Sequence, residues 1–202
     1  MGRMDGKTVF ITGAARGQGR AHAVKLAEAG ADIIAVDYCQ DIPSTEYPLA
    51  SRADLDQTVA RVEKLDRRII ALEADVRERA ALLDAVSHGV SELGPLHGVV
   101  AQAGICPLGT PDPQAFLDAV SVDLVGIINA VDAALPHLVD GASVVATGSL
   151  GAFISGATDN PAMGAGGKGY SCSKPSRTYA SCPPATASPP TSPGPHHSSS
   201  AC

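Results

Sequence analysis

Short, almost unbroken apolar runs alternate along this chain with longer stretches whose apolar residues recur at helical spacing. No other feature restricts the fold as strongly. "KTVFITG" (7–13), "ADIIAVD" (31–37), "RRIIALEADV" (67–76), "LHGVVAQAG" (96–104) and "ASVVATGS" (142–149) read as five strands. Helical patterns occupy 17–30, 53–66, 77–93 and 113–139, the last with Pro136 near its end. An irregular insertion carrying Pro43 and Pro48 fills 38–52. A strand buried on one face alternates apolar and polar residues; these runs do not, so both of their faces must be covered. Strand–helix alternation with doubly covered strands predicts an α/β fold, a Rossmann-like doubly wound parallel sheet in three layers.

The pattern stops at Pro175. Of the last 28 residues 7 are Pro and 7 are Ser, and none is Leu, Ile, Val, Met or Phe, too little apolar surface to offset the entropy of ordering. The expected organisation is therefore a folded unit over 1–174 and a disordered Pro/Ser-rich tail over 175–202. With 3% aromatic residues and no Trp, the core must be aliphatic. A net charge of -6 without any Lys/Arg block counts against nucleic-acid and anionic-membrane partners. No run of apolar residues approaches the length of a membrane span, and "MGRMDGKTVF" has no signal-peptide pattern. The expected location is the cytoplasm, where the five cysteines are free thiols. No metal site is expected, because His196, His197 and Cys202 lie in the tail without a fourth partner.

"ITGAARGQGRAHAVKLAEAG" puts Gly13, Gly17 and Gly19 between the first strand and the first helix. A pyrophosphate needs a sharp turn there, a backbone without Cβ atoms in the way, and a helix N-terminus with free N–H groups. Arg16 and Gln18 belong to the same turn. Asp37 ends the second strand, 24 residues after Gly13. A carboxylate at that place accepts hydrogen bonds from ribose hydroxyls and repels a 2′-phosphate, which favours NAD over NADP. Arg16 works the other way, since a guanidinium near the adenosine ribose would help a phosphate to bind.

The spacing Thr12-Gly13-x-x-x-Gly17-x-Gly19 resembles the short-chain dehydrogenase/reductase family, and further motifs follow in that family's order over about residues 5–174. Asp75-Val76 resembles the family's adenine-contacting pair. "VVAQAGI" resembles its Asn-Ala-Gly motif, with Gln102 in place of Asn ahead of Ala103 and Gly104. Ser149 matches the catalytic serine, and Tyr170-Ser-Cys-Ser-Lys174 matches Tyr-x-x-x-Lys. The turn region and the insertion "CQDIPSTEYPLAS" are similar to the mycofactocin-associated, carveol-dehydrogenase-like subgroup. That subgroup implies tightly held NAD and an external redox carrier that takes the electrons.

The family resemblance implies an oxidoreductase that moves hydride between a secondary alcohol or ketone and NAD. The catalytic residues would be Ser149, Tyr170, Lys174 and Asp123. Free Tyr titrates near 10, and a nearby ammonium together with a positive nicotinamide ring favours the phenolate needed as base. Ser149 would steady the alkoxide-like oxygen. Lys174 would also hold the nicotinamide ribose, and Tyr170 would lie against the same end of the cofactor.

Several departures from the family qualify this. Asp123 stands where the family has Asn in a proton relay, and an ionised carboxylate accepts hydrogen bonds but cannot donate them. The 21 residues from Ser149 to Tyr170 exceed the usual gap, and "TDNPAMGAGGKG" (158–169) reads as a glycine-rich loop, either arched over the substrate or slack. After Lys174 the family's last two strands and the rest of its Tyr-Lys helix are not legible. This predicts a truncated or frame-shifted end. It also counts against the family's homotetramer, which uses that helix and the final strand. The competing reading is a truncated, catalytically inactive nucleotide-binding fragment.

Overall fold

A computed structural model describes residues 2–152 and 160–174. Five strands form one wholly parallel sheet: β1 (Thr8–Thr12), β2 (Asp32–Asp37), β3 (Ile69–Glu73), β4 (Leu96–Ala101) and β5 (Leu138–Ala146). Their order across the sheet is β3-β2-β1-β4-β5. The helices between them are α1 (Gly17–Glu28), α2 (Arg52–Glu63) and α3 (Arg79–Leu93), followed by α4 (Pro113–Val120) and α5 (Gly126–Ala134). Helix α6 (Gly164–Ser173) follows β5. The expected Rossmann-like parallel sheet is the observed one.

The side-chain alternation of the strands divides the core into two layers. Val9, Ile11, Ile33 and Ala35 face Ala23 and Ala27 of α1 and Leu55 and Val62 of α2. Phe10, Ile34, Val36 and Val99 face Leu82 and Val86 of α3 and Ala130 and Ala133 of α5. Because both layers are filled, β1 is buried along its whole length. The few aromatics leave an aliphatic core, with Phe10 its largest fully buried side chain.

Asp32 opens β2 as a buried carboxylate, gripped by Arg67 (Nη2–Oδ1 2.6 Å), by the Arg68 guanidinium (Nε–Oδ2 2.7 Å) and by the Arg68 N–H (3.1 Å). Burial pushes this carboxyl up, but the hydrogen bonds from Arg68 and Arg67 outweigh burial and hold it below its ordinary value.

Element bounds shift by a few residues throughout, and three of the differences bear on the site. The helix predicted over 113–139 ends at His137, after a π-helical turn at Ser121–Val125 and a 3-10 turn at Leu135–His137. Pro136 is accommodated in that last turn, and β5 begins at Leu138, four residues before the predicted start. β3 ends at Glu73, which leaves Asp75 and Val76 in the following loop. The predicted glycine-rich loop is the third correction: Gly164–Gly169 form the first turns of α6. Glycine in a helix interior costs about 1 kcal/mol relative to alanine, and packing explains why it is tolerated. A Cβ on Gly169 would lie 2.6 Å from the Phe116 carbonyl oxygen, and one on Gly166 would run into Pro107. The absence of side chains lets α6 lie directly on α4.

The helical stretch Pro113–His137 has a mean hydropathy of 1.5 and the length of a membrane span. One face of it packs inward, α5 on α3 and α4 on α6, while Leu117, Val125, Ile128 and Leu135 are exposed. The tail expected over 175–202 lies outside the described residues, as do residues 153–159 of the gap between Ser149 and Tyr170.

Candidate functional site

Strand order reverses between β1 and β4, and the loops leaving the carboxyl ends of those two strands part to form a crevice there. It encloses about 320 Å³, within the usual range for small-molecule sites. Gly13, Arg16, Gly17, Gln18 and Gly19 form one wall, Asp37 the end of β2, Asp75 and Val76 the loop after β3, and Gln102, Ala103 and Gly104 the loop after β4.

The turn itself is a matter of clearance. Gly13 has φ +67°, and a Cβ there would meet the Ala103 backbone at 2.8 Å. A Cβ on Gly19 would collide with the Gly13 carbonyl oxygen. Thr12 ties the two loops together, its Oγ1 accepting from the N–H groups of Gln102 and Ala103, each at 3.1 Å. Helix α1 begins at Gly17 with no side chain capping it, so its N-terminal N–H groups face the crevice with the positive end of the helix dipole.

Asp37 is held in place by the Ala15 N–H on Oδ2 at 2.8 Å. A carboxylate accepts about four hydrogen bonds, so capacity remains. Beside it, Cys39 has φ +56° and a thiol pushed up to about 12 by burial and by the neighbouring Asp37 and Glu73, which favours the protonated form. Arg16 donates from Nη1 to the Pro48 carbonyl at 2.8 Å, so its guanidinium is engaged with the insertion. Asp75 is clasped by Arg77 (Nη2–Oδ2 2.6 Å), and that guanidinium stacks 5.4 Å above the Tyr38 ring.

Of the remaining predicted residues, Asp123 and Lys174 stand against Gly104 of the crevice wall, and Tyr170 and Ser149 follow beside Lys174. Tyr170 and Lys174 share one face of α6, with the Lys174 Nζ 4.9 Å from the Tyr170 ring centroid. Asp123, in the π-helical turn, is fully buried. Its Oδ2 lies 2.8 Å from Lys174 Nζ, and its Oδ1 accepts from the Ile105 N–H at 2.7 Å. A Cβ on Gly104 would stand 3.2 Å from both Lys174 Nζ and Asp123 Oδ1, so this crevice-lining glycine touches the charged pair. Ser149 follows β5, and its Oγ accepts from the Gly151 N–H at 3.2 Å. The same Gly151 lies between Ser149 and the Tyr170 ring: its Cβ would be 3.4 Å from the one and 3.9 Å from the other. Ser149, Tyr170, Lys174 and Asp123 thus stand together at the carboxyl edge of the sheet. Gln102 links the two loops, since its Oε1 accepts from the Thr147 hydroxyl.

Sequence reasoning passed over the insertion as part of the site. Ile42, Leu49 and Ala50 line the crevice, and Tyr47 Oη accepts from the Cys106 N–H at 2.8 Å. Ser44 anchors the strap to Asp118 of α4 at 2.6 Å. Apolar Ile42 and Leu49 inside a proline-marked segment were the available signal. Asn129 was also missed: from α5 its Nδ2 donates to the Val76 carbonyl at 2.9 Å and braces the loop after β3. Its place in an ordinary helical pattern carries no signal.

Comparison with known proteins bears on the family. The family model described as short chain dehydrogenase matches residues 7–176. The (-)-trans-carveol dehydrogenase of Rhodococcus erythropolis is 42% identical over 157 residues, covering 74% of this chain and 56% of its own length. The crystal structure of carveol dehydrogenase from Mycobacterium avium in complex with NAD superposes with a TM-score of 0.78 at 40% identity, covering 86% of this chain and 62% of that one. A short chain dehydrogenase from Mycobacterium paratuberculosis bound to NAD gives 0.78 at 38% identity, covering 86% and 64%. The chain thus spans less than two thirds of the length of each of these relatives. The matching family model, the 42% identity and the crevice at the strand-order reversal lead to one assignment: the chain belongs to the short-chain dehydrogenase/reductase family.

Proposed function

We propose that the chain is an NAD-dependent oxidoreductase that exchanges hydride between a secondary alcohol and its ketone. The observation that supports the reading is Lys174 Nζ beside Gly104 of the crevice, with the Tyr170 ring 4.9 Å from that ammonium and Ser149 across Gly151 from the same ring. The residues present fit a dinucleotide. The turn is a cradle that Cβ atoms on Gly13 or Gly19 would fill, the N-terminus of α1 is uncapped, and Asp37 keeps free acceptor capacity for ribose hydroxyls.

The pyrophosphate would be held by the 13–19 turn, the adenosine end by Asp37, Asp75 and Val76, and the nicotinamide end by Tyr170, Lys174 and the Gln102–Gly104 loop. When bound, NAD supplies the hydride acceptor. The chain's own residues supply the rest. Tyr170 Oη takes the proton of the substrate hydroxyl, Ser149 Oγ donates a hydrogen bond to the substrate oxygen as charge develops there, and Lys174 keeps an ammonium against the Tyr170 ring.

The similarity to carveol dehydrogenases supports a cyclic secondary alcohol as substrate. A mycofactocin-type external electron acceptor and a cytoplasmic location belong to the same reading. Thermal melting with and without NAD tests the first half of the proposal: a rise in Tm with NAD is expected. Asp37→Ala should weaken NAD binding about tenfold or more, through the loss of charge-assisted hydrogen bonds. Turnover of cyclic secondary alcohols, followed as NADH appearance, tests the second half. Binding without turnover would support the inactive-fragment reading instead.

A further inference from the structure

The Lys174 ammonium faces two groups at once. A carboxylate, Asp123 Oδ2, lies 2.8 Å away, and the Tyr170 ring centroid lies 4.9 Å away. Both partners of the ion pair are sealed from water, Asp123 at 0% and Lys174 at 6% exposure. Their charges are therefore little screened by solvent and ions. The carboxylate is also fixed, because the Ile105 N–H occupies Oδ1. The π-helical turn at Ser121–Val125 carries Asp123 to this place, with the Gly126 N–H bonding back to the Ser121 carbonyl.

The other ionisable groups facing the pair come from separate elements. Tyr170 stands on α6, Cys106 on the loop after β4, and Tyr47 on the insertion, with Arg16 acting on Tyr47 from the glycine turn. Burial, then Asp123, pushes the Cys106 thiol up, against an opposing pull from Lys174. Burial likewise pushes the Tyr47 hydroxyl up. Cys106 and Tyr47 are therefore neutral near neutral pH, and among the described residues Lys174 and Asp123 are the charged pair beside Tyr170.

We propose that Asp123 is a positioning residue that governs this charge: it pairs with Lys174 as a neutral couple and withholds from the Tyr170 hydroxyl the positive field that an ammonium without a carboxylate would exert. An opposite charge within about 4–6 Å favours the ionised form of a group, and a neutral couple does so far less. The inference rests on Tyr170 as the base of the proposed reaction, but its test needs neither cofactor nor substrate.

The measurement is the near-ultraviolet tyrosinate absorbance of the cofactor-free full chain as pH is raised. The Tyr170 contribution is isolated by subtracting the titration of Tyr170→Phe made in the same background. Asp123→Asn keeps the shape of the side chain and removes its charge; Asp123→Ser removes the charge and leaves room for water. Both are expected to move the Tyr170 titration to lower pH by about one unit or more. An unmoved or raised titration, in whichever variant keeps the wild-type circular dichroism spectrum, overturns the proposal. Because no turnover is involved, that result would leave the oxidoreductase reading standing, and a lack of turnover would leave the charge assignment standing.

Discussion

The half of the sheet built on β1 and β2 and the half ending at β5 solve the same folding problem with different security. β1 is buried at every position and β2 at all but its last, with helices covering both faces. β5 has no fully buried residue, and Val145 on it is 53% exposed. The first half carries the glycine turn and Asp37, and its shape comes from many apolar contacts that no single substitution removes. The second half carries Ser149, Tyr170 and Lys174, and it is joined to the rest by the β4–β5 pairing and the close seating of α6 on α4, with the Asp123–Lys174 pair and the Gln102–Thr147 bond as specific ties. A scaffold for binding can be spread over a core, whereas groups that move a proton must be placed one by one.

Substitutions can separate the two halves. Tyr170→Phe should slow the proposed turnover about 10²–10⁴-fold while keeping most of the NAD-induced rise in Tm, because the 13–19 turn and Asp37 would still hold the rest of the dinucleotide; a lost Tm response would mean that the halves are not separable. Ile34→Ala, at a fully buried position of β2, should cost about 2–5 kcal/mol in urea denaturation. Asp32→Asn should cost about 1–2 kcal/mol at neutral pH by weakening its hydrogen bonds to Arg67 and Arg68. The sign of its pH dependence follows from its lowered folded value. Its stabilisation is fully present above the ordinary carboxyl value of 3.8 and is lost as pH falls through the lower folded value. The wild-type chain should therefore lose more stability than Asp32→Asn on acidification through that window. Val145→Ala should cost less than about 1 kcal/mol, and a value as large as that for Ile34→Ala would erase the contrast between the strands.

Much of this molecule is readable from local pattern. The strands "KTVFIT" and "DIIAVD" announce themselves because a doubly covered strand must be apolar at consecutive positions. The glycine turn is readable because Gly13 and Gly19 stand where a Cβ would collide with neighbouring backbone. Reading failed where distant parts of the chain decide the outcome. Gly164–Gly169 look like a loop by propensity, yet they are helical because α6 must approach Phe116 and Pro107 more closely than side chains allow. The start of β5 at Leu138 depends on pairing with Leu96 across a register shift.

The order of apolar and helical segments, with Gly13, Gly19 and Asp37 at their ends, was enough by itself to determine a parallel dinucleotide-type sheet and where its crevice opens, since hydrophobic periodicity and backbone clearance act between near neighbours. Only the tertiary structure decided that Asp123 binds Lys174 and that the insertion walls the crevice through Ile42 and Leu49. Those contacts join residues far apart in the chain. A buried charge must find its partner wherever the packing of the helices brings one, and sequence spacing carries no trace of that choice.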